Sequence, residues 1–454
     1  MKDSHTVSTR YLLTMAGLGG LLYGIDFGVI AASMPYIRAL KIFTEAQVSW
    51  IVGAVMFGGL LASLTAGALA ERLGRRPTIL FAAGLFLFAV PVVCLSNGSL
   101  GIMLTGRVLQ GMSAGYMSVV MPLYLAETLP AETRGRGTGI FQLFLGIGLV
   151  SAAAVGFGVA RVWGAADAPA DVVADEVKSF AWKINFWWTL LPVALLFLGS
   201  FRLPESPVWL KKRNEKGACP VVEKAAEATP SATWTSLLQR RYVLPFFLAV
   251  LVLTLNKTMG MSSITSYSVV IFQKSGFAGS LGNVGDFAIK LTNLLVTLVA
   301  VGLVDRKGRT WLLKVGTAGM TVGLGAITAV FFAIECQGVK ATVFTGGVTL
   351  ASFFVMQAFY ALGPGICVWL VLSELMPQRI RANGMAIALF MNQLTAWGLA
   401  SSFLPWVNAW GWWTMFLFFA ASGAIYFVTA LFIPETKGKS LEELEHLFDR
   451  RQEG

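Results

Sequence analysis

Two short charged stretches, Glu71-Arg-Leu-Gly-Arg-Arg76 and Asp305-Arg-Lys-Gly-Arg309, decide the fold because each is enclosed by long apolar segments. Charge at this density is tolerated at a membrane surface but is costly inside the hydrocarbon layer. Each stretch therefore predicts a tight turn between two membrane-spanning helices. The second stretch repeats the first in the other half of the chain, which indicates an internal duplication.

The composition is that of a protein with many membrane spans. Of the 454 residues, 56% are hydrophobic and 13% are charged, and the mean hydropathy is +0.69. A soluble domain has about 25% charged residues. Apolar windows of about 18 residues or more, each able to cross the membrane as a helix, recur along the chain. The sequence therefore predicts an all-α integral membrane protein with twelve transmembrane helices.

Other motifs also occur once in each half of the chain. They are an acid followed seven residues later by an arginine, and a Pro-Glu pair that ends the last helix of each half: Glu127 and Arg134, Glu374 and Arg381, Pro204-Glu205, and Pro434-Glu435. This repetition predicts two parallel six-helix bundles, residues 1–203 and 242–433. Residues 204–241 are interpreted as a cytoplasmic linker with short amphipathic helices, and residues 434–454 as a cytoplasmic tail.

The net charge of +11 reflects topology, because the basic residues concentrate in the breaks on the side that holds both termini. The positive-inside rule places that side in the cytoplasm, which predicts a multi-pass protein of the cytoplasmic membrane. A nucleic-acid partner is not predicted. The four cysteines are scattered and the two histidines lie near the termini. We therefore expect no metal and no organic cofactor.

A set of motifs distributed over nearly the full chain resembles the sugar porter family of the major facilitator superfamily. The motifs are Gly106-Arg-Val-Leu-Gln-Gly111, Pro122-Leu-Tyr-Leu-Ala-Glu127, Arg134-Gly135, Pro204-Glu-Ser-Pro207, Gly363-Pro-Gly365 with Trp369, and Pro434-Glu-Thr-Lys-Gly438. The resemblance implies the major facilitator fold, in which two bundles rock about a central substrate site. The partners it implies are a small sugar or sugar-like solute and the lipid bilayer. We expect a monomer.

Charged residues at the cytoplasmic helix ends are predicted to form a gating network. Its members are Glu71, Arg75, Arg76, Glu127, Arg134 and Glu205 in the first half, and Asp305, Arg309, Glu374, Arg381 and Glu435 in the second. One exposed pair contributes only about 0–1 kcal/mol, but a shielded network can bias a two-state equilibrium by a few kcal/mol. We expect these pairs to hold the outward-open state and to break when the inside opens. The alternative is that these charges only set the topology.

Three ionisable residues, Asp26, Arg107 and Lys257, interrupt otherwise apolar segments. Such residues usually face a cavity and have a task. Asp26 is predicted to carry the coupling proton, because opening or closing a cavity changes its solvation and its distance from an arginine. The resemblance places the coupling aspartate of proton-linked sugar porters at Asp26 and its arginine partner at Arg107. A static buried ion pair is the structural alternative.

The resemblance places sugar-binding residues on helices 5, 7, 8, 10 and 11. Gln142, Asn293, Trp369 and Asn392 occupy such positions, and Tyr267 matches the gating tyrosine of the family. Amides both donate and accept hydrogen bonds with hydroxyls, and an indole packs against the apolar face of a sugar ring. Without the resemblance, each of these residues is more simply explained by helix packing.

Helix 7 departs from the family pattern Gln-Gln-x-x-Gly-x-Asn, because this chain has Asn256-Lys257-Thr-Met-Gly260-Met-Ser262. Asn256, Lys257 and Ser262 stay substrate-binding candidates. Lys257 has three interpretations: it binds an anionic substrate such as a sugar acid, it pairs with Asp26 or another carboxylate, or it donates to the hydroxyls of a neutral sugar.

The sequence thus predicts proton-coupled transport of a sugar or sugar-like solute by alternating access. Passive sugar uniport, and proton symport of a sugar acid or other organic anion bound through Lys257, are the alternatives. A membrane sensor is disfavoured by the short tail after Pro434. An enzyme is not expected, because Gly111-Met-Ser113-Ala-Gly115 matches the Gly-x-Ser-x-Gly hydrolase motif only inside an apolar helix, with no histidine available as a base.

Overall fold

The computed structural model describes residues 8–129, 131–169, 171–218, 240–368 and 381–433, and the regular structure in these ranges is helical. In chain order the helices are α1 (Thr9–Ala39), α2 (Glu45–Leu73), α3 (Arg75–Cys94), α4 (Leu100–Thr128), α5 (Ala131–Val162), α6 (Asp175–Trp187), α7 (Leu190–Ser200), α8 (Pro207–Ala218), α9 (Arg240–Thr258), α10 (Met261–Ser275), α11 (Leu281–Lys307), α12 (Arg309–Cys336), α13 (Val343–Leu362), α14 (Arg381–Trp410) and α15 (Trp412–Phe432).

Eleven segments within the described ranges are long and apolar enough to cross a membrane. Two of them are pairs of helices, α6 with α7 and α9 with α10. Helix α4 supplies a twelfth candidate: it has 29 residues, but Arg107, Gln110 and several glycines lower its hydropathy. The prediction of an all-α membrane protein is confirmed.

A single glycine makes the turn in each of the two charged stretches. Gly74 separates α2 from α3 with φ +105°, and Gly308 separates α11 from α12 with φ +93°. Glycine adopts such positive φ values without a steric penalty. The tight turns predicted from both stretches are therefore confirmed.

The two faces of the helix bundle follow from the direction of the spans. We call the face with the Gly74 and Gly308 turns the terminal face, because α1 begins there. The opposite face holds the connection between α1 and α2, the connection between α10 and α11, and the Gly411 turn between α14 and α15. The two halves of the chain meet through α2 with α14, α5 with α11, and α1 with α10.

The predicted domain boundaries are only partly covered by the structure. Helix α7 ends at Ser200 and α8 begins at Pro207, close to the predicted end of the first bundle. Residues 219–239 of the predicted linker and the predicted tail, residues 434–454, lie outside the described residues. The boundaries therefore stay predictions.

Helices α1 and α5 approach closely because glycines line their interface. A side-chain carbon at Gly148 of α5 would lie 2.5 Å from the carbonyl oxygen of Leu21 and 3.0 Å from the Cα atom of Gly24. Small residues permit this approach, and close packing is a main source of helix association in lipid.

We expect Gly148→Val to destabilise the protein by about 1–3 kcal/mol, because the added methyl groups must displace the backbone of α1. Gly158→Val is the matched control, since Gly158 lies on the same helix and a side-chain carbon there would have no atom within 4 Å. Thermal unfolding in detergent measures the difference. Equal melting temperatures for the two variants would contradict the role of this interface.

Candidate functional site

The central charged pair joins α1 to α4. Asp26 lies near the middle of α1, and its Oδ1 is 3.7 Å from Nη1 of Arg107; their side chains are 0% and 1% exposed. Arg107 also donates to Oε1 of Gln110 (2.8 Å), and its guanidinium lies 5.5 Å from the ring centre of Phe186. The arginine is therefore held in place by groups other than the carboxylate.

The Asp26 carboxylate is held much less tightly than its partner. Both oxygens are buried, and neither accepts a hydrogen bond from the described residues. Buried carboxylates usually accept several hydrogen bonds. A movement of α1 relative to α4 would therefore change the environment of Asp26 without first breaking a short bond.

Lys257 lies beside a break in the seventh span. Helix α9 ends at Thr258, Gly260 has φ +79°, and α10 begins at Met261. Nζ of Lys257 donates to Oγ of Ser262 across this break (3.2 Å). Among the described residues no carboxylate forms an ion pair with Lys257, and Asp26 pairs with Arg107 instead.

Two predicted substrate ligands bond to the backbone of neighbouring helical segments. Asn256 donates from Nδ2 to the carbonyl oxygen of Pro364 (3.2 Å), and Asn392 of α14 donates to that of Leu253 (2.9 Å). Both side chains are buried. Each amide therefore anchors α9.

The other predicted ligands differ in their surroundings. Gln142 of α5 is exposed and Asn293 of α11 is half-buried. Neither side chain bonds to another described residue. Trp369 lies outside the described residues, so its predicted role stays a prediction.

A small cavity of about 80 Å³ lies between the first bundle and α14. Its polar lining comes from Tyr23, Ser63, Ser118, Asn392 and Gln393. The structure thus places Asn392 at a cavity between the bundles. Gln393 was not predicted, although its position next to Asn392 is a signal that sequence reasoning could have used.

Side chains from both halves close the opposite face around Tyr267 of α10. Its hydroxyl donates to the carbonyl oxygen of Ala400 (2.9 Å) and lies 3.1 Å from Oγ of Ser49 on α2. Ser49 Oγ also accepts from the amide of Leu404 (3.1 Å), and the Tyr267 ring stacks on Phe403 at 4.3 Å. Tyr267 therefore lies where the two bundles meet.

Two further hydrogen bonds link the two halves of the chain at the opposite face. Asp167 accepts from the amide of Gly279 (2.7 Å), and Asn283 of α11 donates to the carbonyl oxygen of Gly156 of α5 (3.4 Å). We call the contacts made by Ser49, Asp167, Tyr267 and Asn283 the opposite-face seal.

A compact ion pair lies at the terminal face of the first half. Nε and Nη2 of Arg75 donate to the two carboxylate oxygens of Glu127 at 2.8 and 2.7 Å. Arg75 also donates to the carbonyl oxygen of Ala70 (3.0 Å), and Ser206 donates to Glu127 (2.5 Å). The pair joins α3 to α4 within one bundle, and it is intact while the opposite face is sealed.

Glu205 caps the start of α3. Its Oε1 accepts from the backbone amides of Arg75 (2.9 Å), Arg76 (3.2 Å) and Ser206 (2.8 Å). A carboxylate at a helix N-terminus is favoured by the free amides and by the helix dipole. Glu205 therefore binds backbone, whereas Glu127 binds the arginine side chain.

Three other predicted gating residues are described, and none of them is bonded to the Arg75–Glu127 side chains. The Arg76 side chain donates to the carbonyl oxygen of Phe201 (2.7 Å), and Glu71 makes an exposed pair with Lys212 (3.5 Å). Arg309 is half-buried at the start of α12. Glu374 and Glu435 lie outside the described residues. For Arg134, Asp305 and Arg381 the structure describes the helix but not the side chain.

Sequence reasoning missed a second buried charged pair, on α11. Nζ of Lys290 lies 2.8 Å from Oδ2 of Asp286, and both side chains are buried. The signal was available, because two opposite charges four residues apart in an apolar segment lie on the same helix face.

Comparison with known proteins extends this description. The sequence profile of the family described as "Sugar (and other) transporter" matches residues 12–448. The galactose-proton symporter of Escherichia coli K12 is 28% identical, with 97% of this chain and 95% of that protein covered. The major myo-inositol transporter IolT of Bacillus subtilis is 30% identical, with 97% and 94% covered.

Solved structures show the same fold. The crystal structure of a D-xylose-proton symporter matches with a TM-score of 0.79 at 22% identity, and it covers 95% of this chain and 99% of that one. At this identity the likeness supports the architecture. Members of the family are transporters and not enzymes, as the sequence predicted. The profile match over nearly the whole chain and the agreement in fold show that this protein belongs to the sugar porter family of the major facilitator superfamily.

Proposed function

We propose that this protein couples the transport of a sugar or sugar-like solute to proton movement by alternating access, with both termini in the cytoplasm. The observation that carries the proposal is the buried Asp26–Arg107 pair, whose carboxylate accepts no hydrogen bond from the described residues. The relative named as a galactose-proton symporter supports it.

The proposed cycle uses Asp26 as the proton carrier. When the opposite face is open, a carboxylate oxygen of Asp26 takes a proton and the solute enters between the bundles. Closure of the opposite-face seal then directs both toward the terminal face. Arg107 keeps its own partners, Gln110 and Phe186, so it can approach or leave Asp26 as α1 and α4 shift.

Uptake by purified protein in liposomes tests the proposal. A pH gradient is imposed, and labelled galactose, glucose, xylose and myo-inositol are offered in turn. A symporter accumulates its solute above the outside concentration and loses that accumulation when a protonophore is added. A passive uniporter only equilibrates its solute, and that result would overturn the proton coupling.

Proton symport of an anionic solute is the second candidate function, and Lys257 favours it. The ammonium group has one hydrogen-bond partner, Ser262, and no carboxylate partner among the described residues. An unpaired cation inside a membrane protein is costly. A carboxylate on the solute would compensate for that cost.

We expect Lys257→Gln to weaken binding of sugar acids by about tenfold or more, because a charge-assisted hydrogen bond is lost. The thermal shift of the purified protein with neutral sugars, polyols and sugar acids measures this. Lys274→Gln is the control, since Lys274 is exposed at the end of α10. If the parent protein prefers neutral hexoses and Lys257→Gln keeps that preference, the hypothesis of an anionic solute is excluded.

A further inference from the structure

The buried pair on α11 has a partner on the helix that closes the opposite face. Ser268 of α10 donates to Oδ1 of Asp286 (2.5 Å), and Lys290 holds Oδ2 (2.8 Å). Asp286 and Lys290 are 1% and 4% exposed, and Ser268 is fully buried. We call these three residues the Ser268–Asp286–Lys290 cluster.

The cluster lies beside the opposite-face seal. Ser268 follows Tyr267 in the sequence, so the two side chains leave α10 in different directions. Tyr267 contacts α2 and α14, whereas Ser268 contacts α11. Helix α10 is thus held by α2 and α14 on one side and by α11 on another, and Thr345 of α13 donates to the carbonyl oxygen of Ser275 at its end (2.7 Å). Its link to α9 includes Gly260, which has φ +79°.

Gly260 marks the point at which α10 changes direction relative to α9. Gly260 separates it from α9, and a glycine at positive φ is a position where the backbone can change direction without a steric penalty. The side-chain bond from Ser268 to Asp286 is the one that joins α10 to α11 within the described residues. A swing of α10 about Gly260 would break that bond but leave Asp286 paired with Lys290 on their own helix.

We propose that the Ser268–Asp286–Lys290 cluster positions α10 in the sealed conformation and releases it when the opposite face opens. Lys290 compensates the charge of Asp286 in both states, so the carboxylate stays a strong acceptor for Ser268. The cluster acts through Tyr267 and makes no contact with the solute. The inference rests on the proposed alternating access, but it does not depend on which solute is carried or on proton coupling.

Ser268→Ala tests the proposal because it removes the bond and keeps the charged pair. Its matched control is Ser266→Ala, since Ser266 is equally buried on the same helix and its hydroxyl has no hydrogen-bond partner. Spin labels are placed at Val172 and Val339, which are exposed on the opposite face in different halves of the chain. The distance between the labels reports whether the opposite face is open. The native cysteines Cys94, Cys219, Cys336 and Cys367 are first replaced by serine or alanine.

Pulsed electron double resonance in nanodiscs then measures the distance between the labels, without solute and without a pH gradient. We expect the ratio of open to sealed molecules to rise about tenfold in Ser268→Ala, since a hydrogen bond to a charged acceptor is lost. Ser266→Ala should keep the parent ratio, and Ser268→Thr should restore it.

The double variant Asp286→Asn with Lys290→Met supplies an independent test. It removes both charges together, so no unpaired charge is left buried. We expect it to favour the open state less strongly than Ser268→Ala does, because the asparagine oxygen still accepts from Ser268 but is a weaker, neutral acceptor. If both variants fold and keep the parent distance distribution, the cluster is a static part of the bundle and the proposal is overturned, whatever the outcome of the uptake experiments.

Discussion

Replacing Asp26 by asparagine is expected to abolish solute accumulation driven by a pH gradient and to leave solute exchange intact. Asparagine has nearly the same shape but cannot take up or release a proton. The coupling free energy between proton and solute then vanishes, and the accumulation ratio falls to about 1. Counterflow in proteoliposomes measures exchange, and uptake under an imposed gradient measures accumulation.

The same measurements separate a specific role of Asp26 from a general loss of charge. Asp171→Asn is the control, because Asp171 is exposed in the connection between α5 and α6 on the opposite face. It should accumulate solute like the parent protein. Unchanged gradient-driven accumulation in Asp26→Asn would refute the assignment of Asp26 as the proton carrier.

The second large effect is expected at the terminal face, where Glu127→Ala removes the partner of a buried arginine. Arg75 and Glu127 have side chains that are 8% and 12% exposed and are joined by two short bonds. Removing one partner of a fully buried pair leaves an uncompensated charge and costs about 3–5 kcal/mol. We expect a loss somewhat below that range here, because both side chains are partly exposed and Arg75 keeps its bond to Ala70. Thermal unfolding of the purified protein should show this loss directly.

A pair in the same region serves as the control. Glu71 and Lys212 are 66% and 59% exposed at 3.5 Å, and an exposed pair contributes at most about 1 kcal/mol. Glu71→Ala should therefore unfold close to the parent temperature. If Glu71→Ala and Glu127→Ala lowered the unfolding temperature by similar amounts, the Arg75–Glu127 pair would contribute no more stability than an exposed pair.

The architecture was predictable from the sequence because its causes are local. Long apolar windows must be helical in a membrane, and a charged stretch between two of them must be a turn at the surface. The glycines at 74 and 308 make those turns with positive φ, as a one-residue reversal requires. Asp26 and Arg107 could be paired from the resemblance, and the structure brings them together.

The site was harder to predict because it depends on which partner each polar group finds. Asn256 and Asn392 look like solute ligands in the sequence, yet both donate to backbone carbonyls of neighbouring helical segments. Asp286 and Lys290 were not among the predicted site residues, because the bond from Ser268 depends on how α10 packs against α11. Glu205 binds amides and not an arginine side chain, a difference set by the chain path after α7.

The break at Gly260 has an evolutionary consequence. Lys257 lies on one side of this residue and Tyr267 on the other, so the proposed solute contact and the contacts that close the opposite face belong to separate helices of one span. On the proposed function, a substitution at residue 257 alters which solute is held and leaves the closing contacts of Tyr267 untouched. Solute preference can then diverge among descendants of one carrier while the conformational cycle is kept.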